Sequence, residues 1–461
     1  MRCLNGLLLA ASFSAAATGS VLAQSPNIPA PPQQKPLAIL NGTVHVVSAD
    51  PATPAVIDRG WILVRDGVIV GVGGPDAPPA IDGTWEVVDA AGRHVCPGFH
   101  AMDTQLGLVE TMAVRATDDR REVGEVTPEV TASIAINPDT DLIPVSRAGG
   151  ILLASVAPLG GLMPGWTSVI RLDGWTPEEM TIEPQAGLVL NWPMMETVRA
   201  PWMRREEGEQ KSRTREQLRR IEELFDAAAA WRNARAADPE TPQDLRLDAI
   251  SRTLDGGRPL MISCGSPAQI DAAVAFAARR NLRIVIVGGL GSLECAPLLA
   301  ERGIPVLVDG VHRLPRRRHD RPAEPFELPG RLHAAGVKVA IGAAEEPAHE
   351  RNLPHQAGTA VAHGMPADAA LAAITRVPAE IAGVADRYGS IEVGRSATLL
   401  VLDGPPLEVT TAPVRAFIDG RPIDLSSRQS RQLDKYLEKY RRLGRIEEQS
   451  PAPTSGGAPR R

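Results

Sequence analysis

The chain is short of the residues on which most catalytic schemes depend. Only five of its 461 residues are lysine: Lys35, Lys211, Lys338, Lys435 and Lys439. A mechanism that needs a lysine amine therefore has few places to find one, and nine histidines restrict any imidazole metal site in the same way. Four cysteines, Cys3, Cys96, Cys264 and Cys295, are widely spaced and form no CxxC, which argues against a disulfide framework. No GxGxxG or Walker pattern follows an apolar run, so nucleotide binding has no support. A formal charge of −6 argues against a broad basic surface for nucleic acid. After the first residues, no apolar run approaches the ~20 residues that span a bilayer.

The remaining composition is that of a large folded protein. At 43% hydrophobic, the chain has material for a sizeable core, and its length suggests two or three domains unless a barrel fills most of it. Residues 1–23 read as an export signal. Arg2 is the positive start, residues 4–17 are the apolar stretch, and Val21-Leu22-Ala23 is a small-residue cleavage site. The mature protein is then expected to be periplasmic or secreted. Residues 24–36 are a Pro/Gln-rich linker.

Short Val/Ile-rich strands follow at 37–40, 43–47, 61–65, 68–72 and 85–88, with Asn41-Gly42 and Asp66-Gly67 as expected tight turns. The same style returns at 390–402 and 414–424. Segments 37–98 and 388–425 should therefore close one small composite β-sandwich. Between them, residues 99–387 alternate apolar runs at 151–156, 260–262, 284–287, 306–308 and 337–341 with helical segments. Ser266-Pro267 is an N-cap with proline at the first helical position, and 366–382 reads as one helix. This α/β alternation, at this length, favours a (β/α)8 TIM-like barrel. The charged stretch 204–237 carries Leu218, Ile221, Leu224 and Phe225 at helical spacing, which suits either a lid over the barrel or a surface helix. Segment 426–461 holds a last helix and a Pro/Gly/Ser-rich tail expected to be disordered.

Several stretches carry a resemblance. Asn41-Gly42-Thr43, Asp66-Gly67-Val68-Ile69, Asp89-Ala90-Ala91-Gly92-Arg93 and Pro97-Gly98-Phe99 occur in order, followed by Ile136-Asn137-Pro138 and Arg147-Ala148-Gly149-Gly150. Asn352-Leu353-Pro354 and Gly389-Ser390-Ile391-Glu392-Val393-Gly394 complete the series. Together, across about 37–425, the chain resembles the amidohydrolase superfamily, in its imidazolonepropionase-like or prolidase-like branch. The resemblance implies a barrel that binds zinc or another divalent ion and uses the bound hydroxide for hydrolysis. It also implies a ligand set: an H-x-H pair after the first strand, a carboxylated lysine or a glutamate on a middle strand, two later histidines and a final aspartate.

This sequence departs from that set at each position. Asp103 and Gln105 stand where the H-x-H pair is expected, and alternation along a strand would aim both at the barrel mouth. Ser263, followed by Cys264, replaces a strand-end histidine, and Gly288-Gly289 ends the next strand without one. Glu345 stands near the expected aspartate. No lysine lies between Lys35 and Lys338 except Lys211, in the charged stretch. His312, His319, His349, His355 and His363 are the remaining material for a rebuilt site.

The expectation is an exported amidohydrolase-family protein without the usual metal centre and with no other cofactor, acting as a ligand-binding or partner-supporting pseudoenzyme. The mouth residues Asp103, Gln105, Ser263 and Glu345 are its candidate site. Expected partners are a small molecule and a homo- or hetero-oligomer with an intact amidohydrolase, with no nucleic acid and no membrane span. The alternative is a hydrolase of non-peptide carbon–nitrogen bonds or small peptides, with zinc or another divalent metal in an atypical site.

Overall fold

The computed structural model describes residues 27–199, 203, 205–316, 320–343 and 346–446. Residues 1–23, where the sequence predicts an export signal, Glu345 and the tail from residue 447 lie outside the described residues. The first strands are β1 (Leu37–His45), β2 (Val56–Arg65), β3 (Val68–Gly73), β4 (Glu86–Asp89) and β5 (His94–Pro97). Asp66 and Gly67 both have positive φ (51° and 78°), so they make the two-residue turn that joins β2 to β3. Asn41-Gly42 is not a turn. β1 runs straight through it, and its pairing with β2 shifts register on either side of Gly42. Asn41 takes φ 57°, and its amide donates to Asp89 Oδ1 at 3.0 Å, so the pair forms a bulge inside one strand.

The barrel sheet follows, comprising β6 (Phe99–Thr104), β7 (Ile151–Val156), β8 (Gly165–Arg171), β9 (Thr181–Asn191), β10 (Leu260–Cys264), β11 (Ile284–Gly288), β12 (Val306–Asp309) and β13 (Val339–Gly342). They pair in that order round a nearly closed sheet. One strand departs from the all-parallel pattern: β8 runs antiparallel to both β7 and β9. The connections before and after β8, residues 157–164 and 172–180, are shorter than the dozen or so residues a parallel crossover needs.

Helices surround the sheet: α1 (Leu142–Ala148), α2 (Pro177–Met180), α3 (Glu207–Ala237), α4 (Leu245–Ser251), α5 (Pro267–Arg279), α6 (Ala296–Glu301), α7 (Glu324–Ala334) and α8 (Leu353–Ala362). α5 starts with the Ser266 capping box and Pro267, as the residue types require. α3 belongs to the crossover from β9 to β10. Ile221, Phe225 and Ala228 are buried, and the Phe225 ring meets Phe276 of α5 edge-on at 5.1 Å. Arg280 ties the same helices by pairing with Glu222 and Asp226.

Segment 366–382 divides into α9 (Ala367–Ala372) and α10 (Arg376–Ile381). The break closes the barrel. Ala373 O accepts from Ile341 N of β13 at 3.0 Å, and Ile374 O accepts from His100 N of β6 at 2.8 Å. Those carbonyls bridge the seam between first and last strands, so they are not available to a helix. Pro378 also lacks the N–H that would bond back to Ile374.

The chain then returns to the first sheet through β14 (Leu399–Leu402), β15 (Pro413–Ile418) and β16 (Arg421–Pro422). β14 pairs antiparallel with β5, so the two ends of the chain join edge to edge in one hydrogen-bonded sheet. Ile39, Val44, Ile62, Val64, Val95, Leu399, Val401 and Phe417 form its own apolar cluster, separate from the barrel's. The last helix is α11 (Arg428–Arg442).

Residues 27–36 are tied down more than their composition suggests, largely through polar groups. Gln33 Oε1 accepts from Gly67 N at 2.7 Å. Ala30 N donates to Asp173 Oδ2 at 3.1 Å, and Ala30 O accepts from Arg421 at 3.1 Å. Asp173 is buried and also pairs with Arg147 of α1 at 2.8 Å and with Arg421 of β16 at 3.3 Å. This cluster joins the N-terminal segment, the barrel and the β unit.

Candidate active site

The C-terminal ends of parallel barrel strands gather at one mouth, where side chains from distant parts of the sequence converge. Asp103 reaches it from β6 in an unusual way. Its φ is +54°, and the pairing of β6 with β7 shifts register between Met102 and Thr104. The residue is a left-handed bulge, a conformation aspartate tolerates, and such bulges re-aim a side chain at the end of a strand. Asp103 keeps some accessible surface but sits deep. Burial pushes its carboxyl up to about 7, and the charge of Asp309 adds to the shift.

Asp309 ends β12, two strands from β6 round the barrel through β13. Burial also raises its carboxyl, while the Arg313 guanidinium pulls it back down. Burial in turn lowers Arg313, against the opposing pull of Asp309 and Glu324. The loop carrying Arg313 is fixed by the buried Gln356 of α8. Gln356 Oε1 accepts from Val311 N at 2.7 Å and His312 N at 3.0 Å, and its amide donates to Ala343 O at 3.3 Å. One side chain thus sets the loops after both β12 and β13. The Arg313 Nε also donates to Gly310 O at 3.1 Å.

The other predicted positions are placed differently. The bulge ends the alternation that would give Asp103 and Gln105 one face. The Gln105 amide turns back and donates to Asp103 O at 3.2 Å. Ser263 is the penultimate residue of β10, four strands from β6 in either direction, on the opposite wall of the barrel. Glu345 lies outside the described residues. Asn191, at the end of β9, donates to Gly160 O and Gly161 O at 3.1 and 2.9 Å, which holds the loop after β7. Cys264 is buried, and burial raises its thiol to about 12, the reverse of an activated nucleophile. The sequence reading missed Asp309. Its signal was an acid placed directly after the apolar run 306–308, at the start of an arginine-rich loop.

Residues 178–425 match the model of the amidohydrolase family. The chain belongs to that family. A solved amidohydrolase from Thermotoga maritima is 26% identical, with a TM-score of 0.72 over 84% of this chain and 99% of that one. A prolidase solved with N-methylphosphonate-L-proline shares the fold, at 18% identity and a TM-score of 0.50 over 84% of this chain and 98% of its own. Amidohydrolase tasK of Hapsidospora irregularis is 22% identical over 429 residues, 84% of this chain. The chain spans 43% of that relative's length.

The amidohydrolase resemblance implies a divalent metal, and the described residues of this mouth do not supply the ligand set it implies. Gln105 is a neutral amide already bonded to backbone, Ser263 is on the far wall, and Gly288 offers no side chain. Asp103 and Asp309 supply carboxyls, and no histidine of the described residues is among the groups that shift either one. Among the described residues, no three of His, Cys, Asp or Glu are grouped so as to hold an ion.

Proposed function

We propose that this amidohydrolase-family chain binds a small molecule at its barrel mouth without the family's metal-assisted hydrolysis. The observation that carries the reading is the diversion of the first-strand pair. Asp103 is turned by a bulge into the field of Asp309, and Gln105 is bonded back onto Asp103 O. Neither is set as half of a two-residue metal clamp. What the mouth offers instead is a carboxyl that keeps a proton near neutral pH, a second carboxyl and a guanidinium. That combination suits a ligand with both amine or amide donors and an anionic group, such as an amino-acid derivative. The proposal includes export through residues 1–23, no bound cofactor, and action alone or beside an intact amidohydrolase as a homo- or hetero-oligomer.

One observation favours a second reading. A protonated carboxyl beside a more acidic one is the arrangement of an acid–base pair. On that reading the chain hydrolyses carbon–nitrogen bonds or small peptides through an atypical site.

Assays on X-Pro dipeptides, hydantoins and imidazolones, with and without added zinc or chelator, test both readings. The proposal expects no turnover above background under any condition. Turnover that chelator removes and zinc restores would overturn it. Chelator-insensitive turnover lost in Asp309→Asn would establish the second reading in its place.

A further inference from the structure

The last helix, α11, has a composition unlike the rest of the chain. Residues 428–446 hold seven basic side chains, Arg428, Arg431, Lys435, Lys439, Arg441, Arg442 and Arg445, against Asp434 and Glu438. The chain as a whole carries −6. Two of the five lysines and two of the three tyrosines fall within this one helix. At 3.6 residues per turn, Leu433, Tyr436, Leu437 and Tyr440 follow i, i+3, i+4, i+7 spacing and share one face. Arg431, Lys435 and Arg442 lie on the opposite side, with Lys439 and Arg441 near the boundary.

Most of that apolar face is exposed, with Leu437 half-buried. Leu433, Tyr436 and Tyr440 are 59%, 48% and 39% exposed, and no residue of α11 is buried. Leu443 and Ile446 continue the exposed apolar strip. The helix is held at its start, by the Ser427 capping box and by Arg431, which donates to Asn27 Oδ1 at 3.2 Å. Lys435 and Lys439 both approach the Tyr436 ring, at 5.9 and 5.8 Å from its centroid. Both ammonium groups are thus within cation–π distance of that exposed ring.

We propose that α11 docks this protein in-plane on an anionic lipid surface. Leucines enter the acyl boundary, tyrosines sit at headgroup depth, and the lysines and arginines meet lipid phosphates. Charge selects this occupant over a second copy of the chain. Two such helices paired along their apolar faces would add one net-positive segment to another, whereas anionic lipid neutralises that charge. Residues 447–461 contain no Leu, Ile, Val, Phe, Met, Trp or Tyr with which to cover the strip. The contact is interfacial, and no helix among the described residues is long and apolar enough to cross a membrane.

Flotation of the full chain with phosphatidylcholine vesicles, with and without phosphatidylglycerol, tests the proposal. Vesicles containing phosphatidylglycerol should bind at least about tenfold more tightly, and binding should weaken as salt rises from about 0.1 M to about 0.5 M. Leu433→Glu/Leu437→Glu should lose the binding while the chain stays folded. Lys435→Glu/Lys439→Glu should weaken it by about tenfold or more. No vesicle binding, equal binding to both compositions, or binding that survives Leu433→Glu/Leu437→Glu would overturn the proposal. A wild-type dimer that Leu433→Glu/Leu437→Glu dissociates, without vesicle binding, would instead assign the face to a second copy.

Discussion

Asp103, on a left-handed bulge at the end of β6, lies in the field of Asp309, at the end of β12. Burial raises both carboxyls, and only Asp309 has a cation, Arg313, drawing it down. The proton therefore resides mainly on Asp103, and the two groups titrate as a pair. This relationship sets the charge the mouth presents when no ion is bound: two carboxyls with a proton held mainly on one of them.

Asp103→Asn should stabilise the protein at high pH. A carboxyl held at about 7 in the fold, against an ordinary value of 3.8, keeps a proton that the unfolded chain releases. Stability from this group is complete below about 4 and is lost as pH rises towards 7. Asparagine mimics the protonated form at every pH. Urea unfolding should show the variant equal to wild type near pH 4 and about 1–3 kcal/mol more stable at pH 8.

His45 and His94 should make the β unit sensitive to acid. Their rings stack with centroids 5.1 Å apart, and His45 Nε2 lies 2.8 Å from His94 Nδ1. Double protonation would set N–H against N–H. Burial and the neighbouring His94 lower His45 to about 4, with Asp58 opposing. The unfolded chain takes up the proton first, so this contribution to stability is full above about 6.5 and is lost as pH falls towards 4. In His45→Asn, the slope of stability against pH in that window should flatten.

Asp173 should be among the costliest surface-remote positions to change. It is buried between Arg147 and Arg421 and accepts from Ala30 N. Removing it leaves Arg147, itself buried, without its carboxylate. Asp173→Ala should cost about 3–5 kcal/mol in urea unfolding, and residues 27–36 should become open to proteolysis.

Phe225→Ala distinguishes a barrel helix from a lid. Its ring is fully buried against Phe276, and α3 fills the crossover between β9 and β10. The substitution should cost about 3–5 kcal/mol in global stability. A lid residue would change ligand binding with little effect on unfolding.

The parts of the fold that were legible in the sequence have local causes. Asp66-Gly67 makes its turn because both residues accept positive φ, and Ser266-Pro267 starts α5 because hydroxyl and ring suit those positions. What escaped the sequence depends on distant partners. Asn41-Gly42 has the chemistry of a turn, yet Asp89 and β2 hold it in a bulged strand. Segment 366–382 has helical periodicity, yet the seam between β6 and β13 takes the carbonyls of Ala373 and Ile374. The site divides in the same way. Asp103 was found by its register after Pro97-Gly98. Its partner Asp309 lies more than two hundred residues away, and only barrel closure brings the two together. Gln105 was placed correctly along the chain, but its amide bonds to backbone, a choice no spacing encodes.

The most direct measurement is the metal content of the purified full chain after exhaustive dialysis against metal-free buffer, by inductively coupled plasma mass spectrometry. A mouth built on Asp103, Asp309 and Arg313, with Gln105 turned away, predicts zinc and other divalent transition metals far below one ion per chain. One or two ions retained per chain would contradict the account.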